Sequence, residues 1–327
     1  MTTQIRKRTA SVLTLGLLLL FLFSGIIYWQ AVAADISNPR ANFWRVVRQG
    51  VPAYTTTPQQ GHRILIQNGG ENWREIRNGF IARFSPWMLA AALVVIGLFY
   101  RIVGPERLEK PPSGVLIERY AGRERLLHWS TAVFFIIMAL TGLSLLLGRA
   151  ALIPIFGHAI VAGLLEASKV LHNYCGPLLL AGIILEFLTW VRDSIPTSYD
   201  LQWFKNMGGM IGSGPRAPIG MINGGEKAWF WLVFLCGIAV GITGTVLDFP
   251  IWEQTRFTMQ LSHVLHATVA VLFVTASLGH IYMGTLGVEG AFGAMWTGRV
   301  DAVWAEQNHD LWYEEKLREK GATETKP

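Results

Sequence analysis

The stretch LSHVLHATVAVLFVTASLGHIYM, residues 261–283, decides the architecture of this chain. It is predominantly apolar and long enough to cross a bilayer as one helix. Within it, His266 and His280 lie fourteen residues apart, which sets them roughly 21 Å apart along a helix. The same spacing turns through roughly 1400°, about 40° short of four full turns, so both imidazoles face nearly the same way. Ionisable groups at membrane depth are costly and mark function by default. Two rings on one face, near opposite ends of a span, are placed to ligate two stacked metal centres. Two haems, one near each side of the membrane, are the natural reading.

The composition is that of a membrane protein: 51% of residues are hydrophobic, only 15% are charged, and Trp occurs 13 times. Five apolar runs can each cross a bilayer: Pro86–Val103, Trp129–Leu147, Leu171–Val191, Ala228–Leu247 and Leu261–Met283. The net charge of +6 is therefore read through the positive-inside rule, and no nucleic-acid partner is implied. Cys175 and Cys236 both lie inside apolar runs and form no CxxC or CxxCH motif. No disulfide framework, zinc site or covalently attached haem is indicated.

Ahead of these runs, Arg6-Lys7-Arg8, an apolar core over Leu13–Tyr28 and Ala31-Val32-Ala33 read as a secretory signal peptide, with a retained anchor as the alternative. Residues 1–33 are assigned to that signal and 34–85 to an extracytoplasmic segment with little helical period. Pro86–Val103 is an additional transmembrane helix returning the chain to the cytoplasm, and 104–126 a basic cytoplasmic linker. Residues 127–283 form a four-helix core, and 284–327 a polar, Trp-containing cytoplasmic tail. The segment 148–170 between two core helices is expected as an outer loop. Its apolar part, broken by Pro154 and Gly157, suits the membrane interface. The expected fold is all-α: an integral membrane four-helix haem-binding bundle, preceded by one additional transmembrane helix and the signal peptide.

This topology sorts the eight histidines by depth. His128 stands at the cytoplasmic entrance of its helix and His280 near the inner end of the last one. His172 stands at the outer entrance of the next helix, and His266 in the outer third of the last. Depth thus pairs His128 with His280 and His172 with His266 as axial ligands of two b-type haems, in a bundle core of the kind that commonly holds cofactors. His263, three residues before His266, lies about 100° off the common face and is given an interfacial role. His62, His158 and His309 sit in loops or polar segments and are read as solvated or partner-facing. Gly142, Gly176, Gly182, Gly237, Gly241 and Gly279 would let a porphyrin or a neighbouring helix come close to the backbone.

Several ordered segments, from about Glu118 to Glu315, resemble the cytochrome b556 (gamma) subunit of respiratory formate dehydrogenases. They are ERLLHW (124–129), SKVLHNYCGP (168–177), TWVRDSIP (189–196), NGGEK (223–227), SHVLHA (262–267) and GHIYMGTLGVEGA (279–291). The amino-terminal extension looks like the longer bacterial form of this subunit. The resemblance implies the same ligand pairing and adds a menaquinone or ubiquinone site near the inner haem, with Asn223 and Gly225 helping to form it. Gly220-Met221-Ile222 depart from the family pattern, which commonly has a basic and an aromatic residue there.

Also implied by resemblance are two partner subunits, an extracytoplasmic molybdenum or tungsten catalytic subunit and an iron–sulfur subunit. Formate oxidised outside the bacterial inner membrane would then deliver electrons through the two haems to quinone. This polypeptide has no catalytic residue of its own in that scheme. The alternatives are a cytochrome b serving a nickel–iron hydrogenase or a thiosulfate reductase, and a cofactor-free membrane anchor.

Overall fold

A computed structural model describes residues 72–210 and 216–324. The signal peptide, most of the segment 34–85 and His62 lie outside the described residues. The first helical stretch runs over Asn72–Ile102. It opens with π-helical turns at Glu75–Ile81 and continues as α1, Ala82–Ile102, with Pro86 inside it. Helix was expected only from Pro86 onward. Proline removes one backbone donor and crowds the preceding turn. Here the wide turns just before it, where the Ala82 N–H donates back to the Arg77 carbonyl, carry the chain smoothly into the proline turn.

After the short strand β1, Leu116–Glu118, come α2, Gly122–Leu147, and α3, Ile153–Trp190, separated by π-helical Gly148–Leu152. Gly122–Trp190 is 69 residues of nearly unbroken helix, about 100 Å if straight, or three hydrocarbon thicknesses. It is broken at Gly148–Leu152 and again at Gly157, whose φ of 76° belongs to the left-handed region open to glycine. The sequence reading placed the break correctly and the loop wrongly. Beyond Gly157 no strong breaker occurs before Pro177, so the expected outer loop is helix.

Two further long helices follow, α5 over Gly224–Asp248 and α6 over Arg256–Tyr282, with the short α4, Ser198–Lys205, ahead of them. Four helical stretches among the described residues are long and apolar enough to cross a membrane. Many large apolar side chains on them, such as Leu93, Val94, Val95 and Leu98 of α1, are exposed. In hydrocarbon such faces carry no penalty.

The chain divides into two compact units. One comprises Thr141–Leu178 and Val240–Thr268 with the described residues up to Phe84. Within it, Arg77 donates from Nη2 to the Leu145 carbonyl at 3.3 Å. The other comprises Ser85–Leu140, Leu179–Ala239 and the residues from Val269 on. Its helical core is Leu179, Ile183 and Phe273, against which Phe134, Phe135, Met138, Trp229 and Cys236 pack.

The same unit holds a second core, formed where a polar, Trp-containing tail was expected. Helix α7, Ala291–Trp296, strand β2, Arg299–Asp301, and helices α8, Ala302–Asn308, and α9, Asp310–Glu324, fold onto β1. The strands pair antiparallel with Leu116 opposite Asp301. Asp301 caps α8 through the Val303 N–H at 2.9 Å and also accepts from Ser113 and Gly114. Ile117, Tyr120, Val300, Trp304, Ala305 and Trp312 bury against one another. Residues 104–126 and the described part of the tail, 284–324, are therefore not separate linker and tail; together they build this cap.

Candidate functional site

α3 and α6 bring His172 and His266 together with ring centroids 6.1 Å apart and planes at 73°. A metal–imidazole bond of about 2.0 Å plus about 1.2 Å from nitrogen to ring centre gives about 6.4 Å across a metal held by two imidazoles. The pair fits an iron between them. His266 Nδ1 lies 3.1 Å from the Val240 carbonyl oxygen and 3.1 Å from Thr243 Oγ1. A carbonyl can only accept, so Nδ1 carries the proton and Nε2 keeps the lone pair that iron needs. His172 Nδ1 makes the matching contact with Thr141 Oγ1 at 2.8 Å.

Each ring also rests against a glycine. A Cβ on Gly142 would stand 3.0 Å from His172 Cε1, and one on Gly244 would stand 3.2 Å from His266 Cε1. A Thr-Gly dipeptide, 141–142 on α2 and 243–244 on α5, thus meets each imidazole twice: hydroxyl on Nδ1, bare backbone beside Cε1. The glycines are cradles for the rings, and a side chain there would push the imidazole out of line.

His128 of α2 and His280 of α6 form the second pair, with centroids 6.2 Å apart and planes at 70°. This spacing fits an iron equally well. Its surroundings differ. Trp229 of α5 stacks on His280 at 4.5 Å and 9°. Trp129 stands edge-on to His128 and donates from Nε1 to the Met295 carbonyl at 3.0 Å. Glu186 of α3 places Oε1 3.9 Å from His128 Nδ1.

All four histidines singled out from the sequence are thus brought together, two by two, in the pairing that depth gave. His263 stands outside both pairs, its ring 5.5 Å from the Trp73 ring. His158 is exposed. His309 overturns the expectation of a solvated or partner-facing side chain: it is 1% exposed, packed at 5.1 Å against the Trp304 ring. The polar segment around it concealed a core built from residues distant in sequence.

Sequence reasoning missed Thr141, Thr243, Gly244, Trp229 and Glu186. The usable signal was again a spacing of fourteen. His128 and Gly142, His172 and Glu186, and Trp229 and Thr243 repeat the His266–His280 interval on the other three helices.

Asn223 and Gly225 stand at the start of α5, held by a dense polar network. The Glu226 N–H donates to Asn223 Oδ1 and the Asn223 N–H to Glu226 Oε2, both at 2.9 Å, a reciprocal cap. The buried Arg119 guanidinium donates to the Met221 carbonyl at 2.9 Å and pairs with Glu226 at 3.1 Å. His309 Nδ1 donates to the Gly220 carbonyl at 2.8 Å. Burial, and then the Arg119 charge, hold the His309 imidazole down to about 4, so it is neutral near pH 7. Gly225 lies beneath the Trp203 indole, which a Cβ would meet at 2.5 Å.

This chain is similar to two cytochrome b subunits of Escherichia coli. The cytochrome b556(fdo) subunit of formate dehydrogenase is 28% identical over 63% of this chain and 97% of its own length. The cytochrome b556(Fdn) subunit of the nitrate-inducible formate dehydrogenase is 27% identical over 59% of this chain and 88% of its own length. The resemblance read from the motifs is therefore shared across almost the whole of these relatives. The profile of prokaryotic cytochrome b561 matches residues 119–298, a stretch that contains all four paired histidines, and the chain belongs to that family.

Proposed function

We propose that the chain is the di-haem cytochrome b membrane subunit of a formate dehydrogenase, passing electrons from extracytoplasmic formate oxidation to membrane quinone in a bacterial inner membrane. The observation that carries this is the presence of two histidine pairs at 6.1 and 6.2 Å, with one member of each on α6. Family membership brings haem b, whose iron supplies the one-electron chemistry by alternating between ferric and ferrous states. His172 and His266 hold one iron and His128 and His280 the other.

The chain's own work is to orient and insulate. Thr141, Thr243 and the Val240 carbonyl fix the ring nitrogens of one pair. The basic residues between Arg101 and Arg125, and those of the segment Arg192–Lys227, support a cytoplasmic side for the cap and the His128–His280 pair. Asn223 and Gly225 belong to the same compact unit as that pair, and Trp229, further along α5 from them, stacks on His280. This supports a menaquinone or ubiquinone site at the start of α5, where cytoplasmic protons are at hand. The names of the relatives support the partners, a molybdenum or tungsten catalytic subunit and an iron–sulfur subunit.

Two measurements test the reading. The purified full chain, reduced with dithionite, is expected to show b-type bands equivalent to two haems per polypeptide; no b-type bands would sink the haem assignment. In membranes from cells lacking the chain, formate-dependent quinone reduction is expected to vanish while dye-linked formate oxidation persists. Unchanged quinone reduction would remove formate dehydrogenase as the partner.

A further inference from the structure

Glu186 is a carboxyl group inside a membrane-capable helix, where such groups are expensive unless they serve something. Its side chain is 14% exposed and its Oε1 is buried without a hydrogen-bond partner. That same oxygen lies 3.9 Å from His128 Nδ1. Thr131 also stands beside the carboxyl, its own hydroxyl donating to the Leu127 carbonyl at 2.9 Å. Thr131 approaches α3 closely because Gly182, one turn before Glu186, has no side chain: a Cβ there would stand 2.5 Å from Thr131 Oγ1. The crossing of α2 and α3 is therefore shaped to bring this carboxyl to the histidine.

Its position along the helix points the same way. Glu186 follows His172 by the interval that separates His266 from His280. On α3 it stands where the level of the second pair would call for another functional group on the His172 face. At the first pair, Nδ1 of each ring has an oxygen acceptor: Thr141 for His172, and Thr243 with the Val240 carbonyl for His266. At the second pair, Glu186 brings a carboxyl oxygen to 3.9 Å from His128 Nδ1.

We propose that Glu186 is a positioning residue for the iron ligand His128, its Oε1 serving as the acceptor for Nδ1–H. It keeps the proton on Nδ1, leaves Nε2 for iron, and makes the imidazole a stronger electron donor. The effect is the one such partners generally have on metal-bound histidines, where their loss weakens metal binding by about 10–100-fold. A stronger donor favours the ferric state, so the carboxyl lowers the reduction potential of this haem relative to the same site without it. The inference rests on the two-haem reading proposed above.

The test is a redox titration of the full-length protein carrying both haems, with low-spin EPR of each, for wild type, Glu186→Leu and Glu186→Gln. In Glu186→Leu the reduced-to-oxidised ratio of one haem at fixed potential is expected to rise about tenfold, which is about 59 mV for one electron. Its EPR signal is expected to shift as well. In Glu186→Gln, which keeps an oxygen at that place, most of the change is expected to be reversed. The haem at His172–His266 serves as the internal control for folding and should be unaltered in both variants. A Glu186→Leu protein with two wild-type haems overturns the inference while leaving the two-haem reading standing. A Glu186→Gln protein as perturbed as Glu186→Leu also overturns it, because charge and not an acceptor oxygen would then be acting. Absence of b haem from the wild type would instead overturn the reading beneath it.

Discussion

The His172–His266 pair and the His128–His280 pair have nearly the same ring spacing and very different surroundings. The first is dressed with the smallest helix-borne groups available: two threonine hydroxyls, one carbonyl oxygen and two glycines. The second is dressed with large and ionisable ones, the Trp229 indole and the Glu186 carboxyl. Equal ligand geometry therefore does not mean equal electronic environment. One site is closely fitted by hydroxyls, a carbonyl and bare backbone; the other has an aromatic face and a carboxyl oxygen, so the two irons proposed above need not be equally easy to reduce.

The strongest way to break this comparison is to remove one ligand at a time. His266→Ala is expected to lose one haem and His280→Ala the other, each halving haem content as read by pyridine haemochrome assay of the purified protein. If His263→Ala removed a haem and His266→Ala did not, the pairing at the first site would be wrong.

A smaller effect separates the units by pH. His309 sits at about 4 in the folded cap against an ordinary 6.5. Its contribution is therefore complete above pH 6.5 and is lost as pH falls toward 4, to an upper bound of about 3 kcal/mol. Hydrogen-exchange protection of residues 299–319 should drop between pH 7 and pH 5 in the wild type and change less in His309→Gln. Equal slopes in the two proteins would contradict the buried neutral imidazole.

The glycine cradles give an effect of similar or lesser size, confined to one pair. Gly244→Ala puts a methyl 3.2 Å from His266 Cε1 and should cost about 1–3 kcal/mol of haem affinity there. Haem retention during detergent exchange would report it, with the His128–His280 haem retained as in the wild type. Smallest of all, Thr243→Val removes one of two acceptors on His266 Nδ1 and should cost about 1 kcal/mol. The Val240 carbonyl keeps the ring in place, so both haems should remain.

Much of the membrane part was legible in the sequence because helix periodicity is regular. Fourteen residues on an apolar stretch carry both a distance and an angle, which puts His266 and His280 on one face and sets His263 off it, while the depth of each helix end supplies their partners. The partners of those rings were harder to see. A threonine within an apolar helix usually bonds to its own preceding turn, as Thr245 does to Gly241 and Thr275 to Val271. Nothing local distinguishes Thr141 and Thr243 from these. Only the packing of α2 on α3 and of α5 on α6 selects them.

The misreading of His309 has a different cause. Trp304, Ala305 and Trp312 make no long amphipathic period, and the helices α8 and α9 are divided between them. Their burial comes from β1, which lies well over a hundred residues earlier in the chain. A contact between such distant segments leaves no periodic trace in either one.

The cap described above has a practical side. Its last two helices hold the strand of backbone that leads into α5: the Leu311 N–H donates to the Ile219 carbonyl, the Ile219 N–H to Asp310, and His309 to the Gly220 carbonyl. Anyone shortening the chain for crystallisation, or grafting a reporter onto it, would meet a clasp where a dispensable end was supposed. Cutting before Asp310 removes both bonds to Ile219, just ahead of the helix that begins at Gly224, whereas a fusion placed after α9 leaves the clasp shut.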